Sequence, residues 1–308
     1  MRDTLAITAI LFLCVVPVLM VRPLPDPVAP DQFAEFVTSV TWQHDANWFG
    51  GLSGIDVSDD GKRFVAVTDR GQMLAGTFER DREQVVGATV LRNRALPNDP
   101  RTPERFPFTD AEGVAWGRDG VIFVSFEHAQ RVLQFDTWEA EAIWPHYTRA
   151  WNALGANIGL EALAIGPEGD LITMPEGVLS GATEALVYSR EPGRPWAQSL
   201  TLPLVDSFRP VGADYGPDGY LYLLEREVRY GFRTQIRRFD VQRYGFDRWD
   251  LVLETPIWRH ANLEGLAVWA DDAGNIRLTM VSDNNFYPMV PTRLVEYVIP
   301  KGLEARAE

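Results

Sequence analysis

The sequence predicts an all-β chain folded as a β-propeller, and three observations carry that prediction. The stretch from Asp110 to Asp136 holds an acidic box, Asp110-Ala111-Glu112-Gly113, two apolar runs joined by an Asp119-Gly120 turn, and a third run, Val132-Leu133-Gln134-Phe135. Short apolar runs around an Asp-Gly turn read as a β-hairpin. The same pattern occurs five times, with turn glycines at Gly61, Gly120, Gly169, Gly219 and Gly274, a period of about 50 residues that marks a propeller or other repeat array. Finally, each copy has room for four strands, so five four-stranded blades are expected, with six as the alternative count.

The hairpins begin at Leu52, Asp110, Leu160, Val211 and Leu263. Third strands are expected over Met73 to Phe78, Arg131 to Phe135, Ala185 to Tyr188, Gln235 to Val241 and Arg293 to Ile299. Fourth strands follow over Gln84 to Leu91, Glu141 to Tyr147, Ala197 to Leu202 and Asp250 to Glu254. The last copy runs out of chain after Ile299. Its outer strand is expected from the N-terminal run Phe33 to Trp42, which closes the ring and removes the exposed sheet edges. The segment Arg92 to Phe108, rich in Pro and Arg and without apolar period, reads as a long surface loop near the channel mouth.

Ahead of the propeller (33–300), residues 1–22 form a signal or anchor segment. Leu5 to Val21 is uncharged and follows Arg2, and its flank, Leu19-Met20-Val21-Arg22, lacks a small-x-small cleavage site. An uncleaved anchor is the first expectation, a cleaved signal peptide the second and a lipoprotein at Cys14 the third. All three export the domain to the periplasm or another extracytoplasmic face, with the membrane met only through this segment. Residues 23–32 are a stiff Pro-rich spacer, and 301–308 a polar tail.

Of the 308 residues, 46% are hydrophobic and 23% charged, an ordinary globular balance. The formal net charge of −14 argues against nucleic-acid binding, which needs a basic footprint, and fits cations or a ligand carried by them. Cys14, the one cysteine, excludes a disulfide framework. A monomer is expected.

In an antiparallel hairpin the start of the first strand and the end of the second share one sheet edge. Glu112 and Glu161 each precede their turn glycine by eight residues, and Glu264 precedes Gly274 by ten across a longer turn. Asp69, Glu127, Glu176, Glu225 and Asp283 follow their glycines by six to nine. Both sets fall at one mouth of the channel lined by the first strands. Crowded carboxylates repel unless something positive compensates, and calcium, taking six to eight oxygen ligands, is the expected answer. Asn157, Asn262, Asn284 and Asn285 are candidate neutral donors, and no Cys or His cluster favours zinc. The plain alternative, acids capping strand-end turns, applies to each blade singly but not to the recurrence across blades.

Arg226 and Arg233 flank a loop opening at the same mouth and suit a phosphate or carboxylate, while the arginines from Arg226 to Arg248 also read as a charged outer face. His128, beside Glu127, is a candidate general base; His260 is similar, and His44 reads as a solvent-facing loop residue. No P-loop, G-x-G-x-x-G or G-x-S-x-G elbow is present.

The boxes Gly50-Gly51-Leu52-Ser53-Gly54, Asp110-Ala111-Glu112-Gly113, Leu160-Glu161-Ala162-Leu163, Gly231-Phe232-Arg233 with Arg237-Arg238-Phe239, and Asn262-Leu263-Glu264-Gly265-Leu266 with Ser282-Asp283-Asn284-Asn285-Phe286 resemble the bacterial "esterase-like activity of phytase" domain family. The resemblance runs from about Phe49 to Ile299, is most specific in the last pair of boxes, and implies an exported or anchored propeller hydrolysing phosphate or carboxylic esters. Ser53 and Val211 stand where other repeats carry Glu and leave the ring incomplete. The expected function is calcium-dependent hydrolysis of a small-molecule ester, phosphate favoured, with Arg226 or Arg233 stabilising developing charge. The alternatives are a non-catalytic propeller binding an anionic ligand or envelope partner, and a lactonase-like metal hydrolase.

Overall fold

A computed structural model describes residues 32–98, 109–154, 158–177, 181–287 and 289–303, with only the backbone of 144–146. Leader residues 1–22, spacer residues 23–31 and Asn157 lie outside the described residues.

Five four-stranded antiparallel sheets form the ring. Blade one contains β2 (Leu52–Val57), β3 (Arg63–Thr68), β4 (Gln72–Asp81) and β5 (Gln84–Ala95). Blade two contains β6 (Ala111–Trp116), β7 (Ile122–Phe126), β8 (Arg131–Phe135) and β9 (Ile143–His146). Blade three contains β10 (Leu160–Ile165), β11 (Leu171–Pro175), β12 (Glu184–Arg190) and β13 (Ala197–Pro203). Blade four contains β14 (Arg209–Tyr215), β15 (Leu221–Glu227), β16 (Arg233–Phe239) and β17 (Asp250–Glu254). Blade five is built from both ends of the ring: β18 (Asn262–Ala270), β19 (Ile276–Asp283) and β20 (Arg293–Ile299) are joined by β1 (Glu35–Thr41), which pairs antiparallel with β20. The expected N-terminal closure is the one observed.

Some boundaries differ from expectation. Strand β5 runs through Arg92 to Ala95, residues expected in the long loop, because β4 is itself long enough to pair them. Residues 99–108 of that loop lie outside the described residues. The third strand of blade four stops at Phe239, and Val241–Tyr244 form a helical turn capped by the Asp240 side chain. In the tail, Leu303 packs on the core formed by blades four and five.

Hydrophobic cores lie between successive blades, and this explains why strands such as Arg63–Thr68 are apolar without alternation. Each sheet buries both faces, one against each neighbour. Val65 and Val67 pack towards blade two, for example, while Phe64 and Ala66 pack towards blade five. All five turn glycines take positive φ, the conformation their tight turns require.

The inner strands β2, β6, β10, β14 and β18 touch in sequence around the axis. Contact is closest at the glycine of the repeated box. A Cβ on Gly113 would lie 2.6 Å from the Glu161 carbonyl oxygen, and one on Gly54 would lie 2.7 Å from that of Glu112. Glycine stands at this place in four of the five inner strands (Gly54, Gly113, Gly212 and Gly265), where it lets one strand's backbone meet the next, and blade three has Ala162.

Candidate metal centre at the channel mouth

Each inner strand carries a β-bulge at one equivalent place. The register slips between Leu52 and Gly54, Ala111 and Val114, Leu160 and Ala162, Pro210 and Gly212, and Leu263 and Gly265. A bulge leaves its extra residue unpaired and re-aims its side chain. The five bulge positions are Ser53, Glu112, Glu161, Val211 and Glu264, so the three glutamates read as a set in the sequence occupy matching places in their blades.

A second ring comes from the residue just past the end of each second strand's pairing with the pre-bulge residue: Asp69, Glu127, Glu176, Arg226 and Asp283. The amides of Asp69, Glu127 and Glu176 donate to the carbonyls of Gly51, Asp110 and Gly159 at 2.8, 3.0 and 3.2 Å. Arg226 pairs with Arg209 as Asp283 pairs with Asn262.

This register corrects the placement of Glu225. It follows its turn glycine by six residues, where Glu127, Glu176 and Arg226 follow theirs by seven. In a strand, one residue reverses the side chain. Glu225 is fully buried, and its two oxygens accept from Arg237 Nε and Nη2 at 2.6 Å each, with Gln235 adding a bond of 2.9 Å. It is not brought to the mouth. Nor is Arg233, which pairs across the hairpin with Glu227, bonds Glu254 of the outer strand and lies over the Phe208 ring. His260 is also away from the mouth, buried against Phe36 with Nε2 2.7 Å from the Tyr297 hydroxyl, and burial lowers it to about 4.

Arg226 is the counter-charge of the mouth. Nη1 donates to Asn262 Oδ1 at 2.6 Å and to Glu264, and Nη2 donates to Glu176 Oε1 at 2.5 Å. Blade four, which has Val211 in place of a glutamate, thus supplies a cation that ties blades three and five together.

On the opposite side of the mouth, Arg131 acts on Asp110 and Arg70 on Asp69 through their charge. The tight turn after β7 puts His128 at φ 58 and turns Nε2 to within 3.1 Å of Asp110 Oδ2 and 3.7 Å of Glu127 Oε2. Asp110, Glu127 and His128 offer ligand atoms all within 4.8 Å of one another. Asp110 also lies within hydrogen-bonding reach of Glu112. Asp110 was legible as part of the acidic box but not as a partner of His128, since that contact depends on how the β7–β8 turn folds back.

Glu112, Glu161 and Glu264 are each only 7% exposed. Burial, followed by mutual repulsion, pushes Glu112 and Glu161 well above the usual carboxylate range. Burial raises Glu264 to about 8 although Arg226 opposes the shift. Asp69 and Glu127 rise to about 7, from burial and then from Asp283 and Asp110 respectively. Among the described residues no hydrogen-bond donor reaches the Glu161 carboxylate. The neutral oxygens expected here are partly committed: Asn262 serves Arg226, and Asn284 Oδ1 accepts from the amides of Gly51 and Phe286 at 2.9 and 3.1 Å.

That last pair of bonds explains the two glycine- and asparagine-rich boxes. Gly50 and Gly51, both at positive φ, let blade one approach Asn284 and Phe286 of blade five, and Arg70 lies 3.4 Å over the Phe286 ring. The boxes clasp the first blade to the last beside Asp69 and Asp283.

A cavity of about 350 Å³ at the other end of the channel is also acidic, with Asp56 and Asp214 in its wall. These carboxylates are engaged: Asp56 accepts from the Trp116 amide at 2.5 Å and Asp214 from the Val268 amide at 2.6 Å, each latching its blade to the next.

Fold and site together define a five-bladed propeller with a ring of buried carboxylates at one mouth. The family described as "Phytase-like: Esterase-like activity of phytase" matches residues 47–286, and the chain belongs to it. No curated protein matches. Among solved structures, the chain is similar to a luciferin-regenerating enzyme at 13% identity, over 82% of this chain and 78% of that one, with a TM-score of 0.45. It is similar to a chain of a nidogen/laminin complex at 11% identity, over 75% of each, with a TM-score of 0.42. A Bacteroides caccae protein of unknown function shares 9% identity over 74% of this chain and 67% of that one, with a TM-score of 0.37. Scores this low say nothing about the chemistry of the mouth.

Proposed function

We propose that the mouth holds a divalent cation, calcium, and that the protein is an exported cation-dependent ester hydrolase acting on small phosphate esters. The observation that carries this is Glu161: a carboxylate 7% exposed, facing other carboxylates, with no hydrogen-bond donor among the described residues. A protein loses stability by burying such a group unless a proton or a cation accompanies it. The surrounding donors are hard oxygens from several strands, a set that suits calcium's large and irregular coordination shell better than zinc's.

Glu112, Glu161, Glu264, Glu127, Asp69 and Asp283 would hold the cation. When bound, it supplies positive charge that draws in an anionic ester and stabilises charge developing on the reacting oxygens. Arg226, with three partners within the rings, orients Glu176 and Glu264. An attacking water would form a new P–O bond as the ester P–O bond breaks, its proton passing to Asp110 or His128 and from there to the leaving alkoxide. Arg233 has no role in this scheme.

The test is a calorimetric titration of calcium into chelator-stripped protein and into Glu161→Gln, followed by assay with p-nitrophenyl phosphate. Tight calcium binding lost in the variant, with turnover abolished by EDTA, is expected. Absence of calcium heat from the unmodified protein, or turnover that survives EDTA, would overturn the proposal. Calcium binding with saturable phosphate binding but no turnover would favour a non-catalytic anion-binding propeller.

A further inference from the structure

Asp110 and Glu127 stand opposite each other in blade two, because the Glu127 amide donates to the Asp110 carbonyl at 3.0 Å just beyond the β6–β7 pairing. The chain then reverses within three residues. The Ala129 amide donates back to the Glu127 carbonyl at 2.6 Å around His128 at φ 58, a turn that bulky residues seldom adopt. It brings the imidazole to both carboxylates: Nε2 lies 3.1 Å from Asp110 Oδ2 and 3.7 Å from Glu127 Oε2. Ligands about 2.1 Å from a cation stand about 3.0 Å apart in an octahedron and about 3.4 Å apart in a tetrahedron, close to this spacing.

The donor set differs from the rest of the mouth by its nitrogen. Imidazole is a common ligand of zinc and similar ions, whereas calcium takes oxygens. The three side chains are 17% to 25% exposed, so an ion can enter from the channel and water can complete its shell. Charge favours one. Glu112, itself buried, lies within hydrogen-bonding reach of Asp110, and the charge of Glu127 acts on Glu161, for which no donor is found among the described residues. On the positive side, Arg131 acts on Asp110, although its Nη1 donates to the Ala129 carbonyl at 2.9 Å and its guanidinium lies over the Phe126 ring. Four carboxylates thus face one imidazole and one guanidinium, an imbalance that a bound cation relieves.

From this geometry we infer that Asp110, Glu127 and His128 form a second cation site, distinct from the oxygen ring, which selects a borderline divalent ion such as zinc over calcium. Glu127, with two oxygens, belongs to both sites and bridges them. The site itself does not depend on the proposed hydrolase activity, but its consequence rests on that reading. A cation on Asp110 and His128 occupies both acceptors of the attacking water's proton, so zinc inhibits the calcium-loaded protein.

The experiment titrates zinc, and cobalt as its spectroscopic substitute, into the full-length protein without a histidine tag and into His128→Asn and Glu161→Gln, with calcium present throughout. Asparagine is chosen because it tolerates positive φ. A single equivalent of zinc is expected to bind, and cobalt to give visible absorption bands. In His128→Asn zinc affinity should fall by about a hundredfold or more, beyond what loss of an outer-shell partner costs, with calcium affinity nearly unchanged. Glu161→Gln should do the reverse, losing calcium and keeping zinc. Turnover of p-nitrophenyl phosphate by the unmodified protein should fall with the midpoint of zinc binding. Absence of zinc binding, equal zinc affinity in His128→Asn, or zinc binding lost in Glu161→Gln, which would put zinc in the oxygen ring, overturns the inference. Undiminished turnover by the zinc-saturated protein overturns the inhibitory role. Zinc binding that depends on His128, in a protein that neither binds calcium nor turns over the ester, would sustain the site while defeating the hydrolase reading.

Discussion

Arg226 Nη2 donates to Glu176 Oε1 at 2.5 Å, joining blade four to blade three through the position that the four other blades fill with a second-ring carboxylate. The same guanidinium bonds Glu264 of blade five. One cation therefore offsets charge from two neighbouring blades, and its removal should expose the repulsion it masks. Arg226→Met is expected to cost about 3 kcal/mol, the usual penalty for stripping one partner from a buried pair. For a chain of this size that lowers Tm by roughly 5 °C. Thermal unfolding at pH 8 with and without calcium checks this, with calcium restoring part of the loss. An unchanged Tm would show that Glu176 and Glu264 need no counter-charge.

Glu161 and Glu225 make opposite predictions although both are buried carboxylates. Glu225 is matched by Arg237, so Glu225→Gln should destabilise by about 3 kcal/mol and leave calcium affinity unaltered once the protein is folded. Glu161 is unmatched among the described residues, so Glu161→Gln should stabilise the calcium-free protein at pH 8 by about 1 kcal/mol while abolishing calcium binding. Chemical denaturation of both variants, with calorimetry alongside, separates them.

Stability should depend on pH in the sense set by raised carboxyls. Asp69 and Glu127 rise to about 7 and Glu264 to about 8, from 3.8 for aspartate and 4.5 for glutamate. Across that interval the folded protein holds protons that the unfolded chain has released. The stabilisation is complete below the unfolded values and is lost as pH rises through the folded ones. The calcium-free protein should therefore melt several degrees lower at pH 8 than at pH 5, and saturating calcium should narrow the difference. A calcium-free Tm that rises over the same range would contradict a mouth of proton-loaded carboxylates.

The box glycines and the turn glycines should respond differently to a methyl group. Gly120 has φ 90 but nothing within 4 Å of an added Cβ, so Gly120→Ala should cost about 1 kcal/mol of backbone strain. A Cβ on Gly113 would lie 2.6 Å from the Glu161 carbonyl oxygen, so Gly113→Ala must separate two inner strands. Its cost should be the larger of the two, and calcium affinity should fall with it, because Glu112 and Glu161 flank the contact. Paired melting curves and calcium titrations would decide this.

By itself the sequence determined the five blades, the N-terminal closure and the register of Glu112, Glu161 and Glu264. Those features are periodic: a turn glycine about every 50 residues and a Glu-Gly or Glu-Ala box at the start of three inner strands. Whatever broke the period was harder to read. Glu225 looked like Glu176 but stands one residue out of register, and in a strand that reversal sends it into a buried pair with Arg237. Arg226, not Arg233, faces the mouth for the same reason. Only the tertiary structure decided which carboxylates are compensated, because that depends on contacts between blades far apart in the chain: Arg226 with Glu176 and Glu264, Asn284 with Gly51. Local pattern set the ring, and packing between blades set its charge.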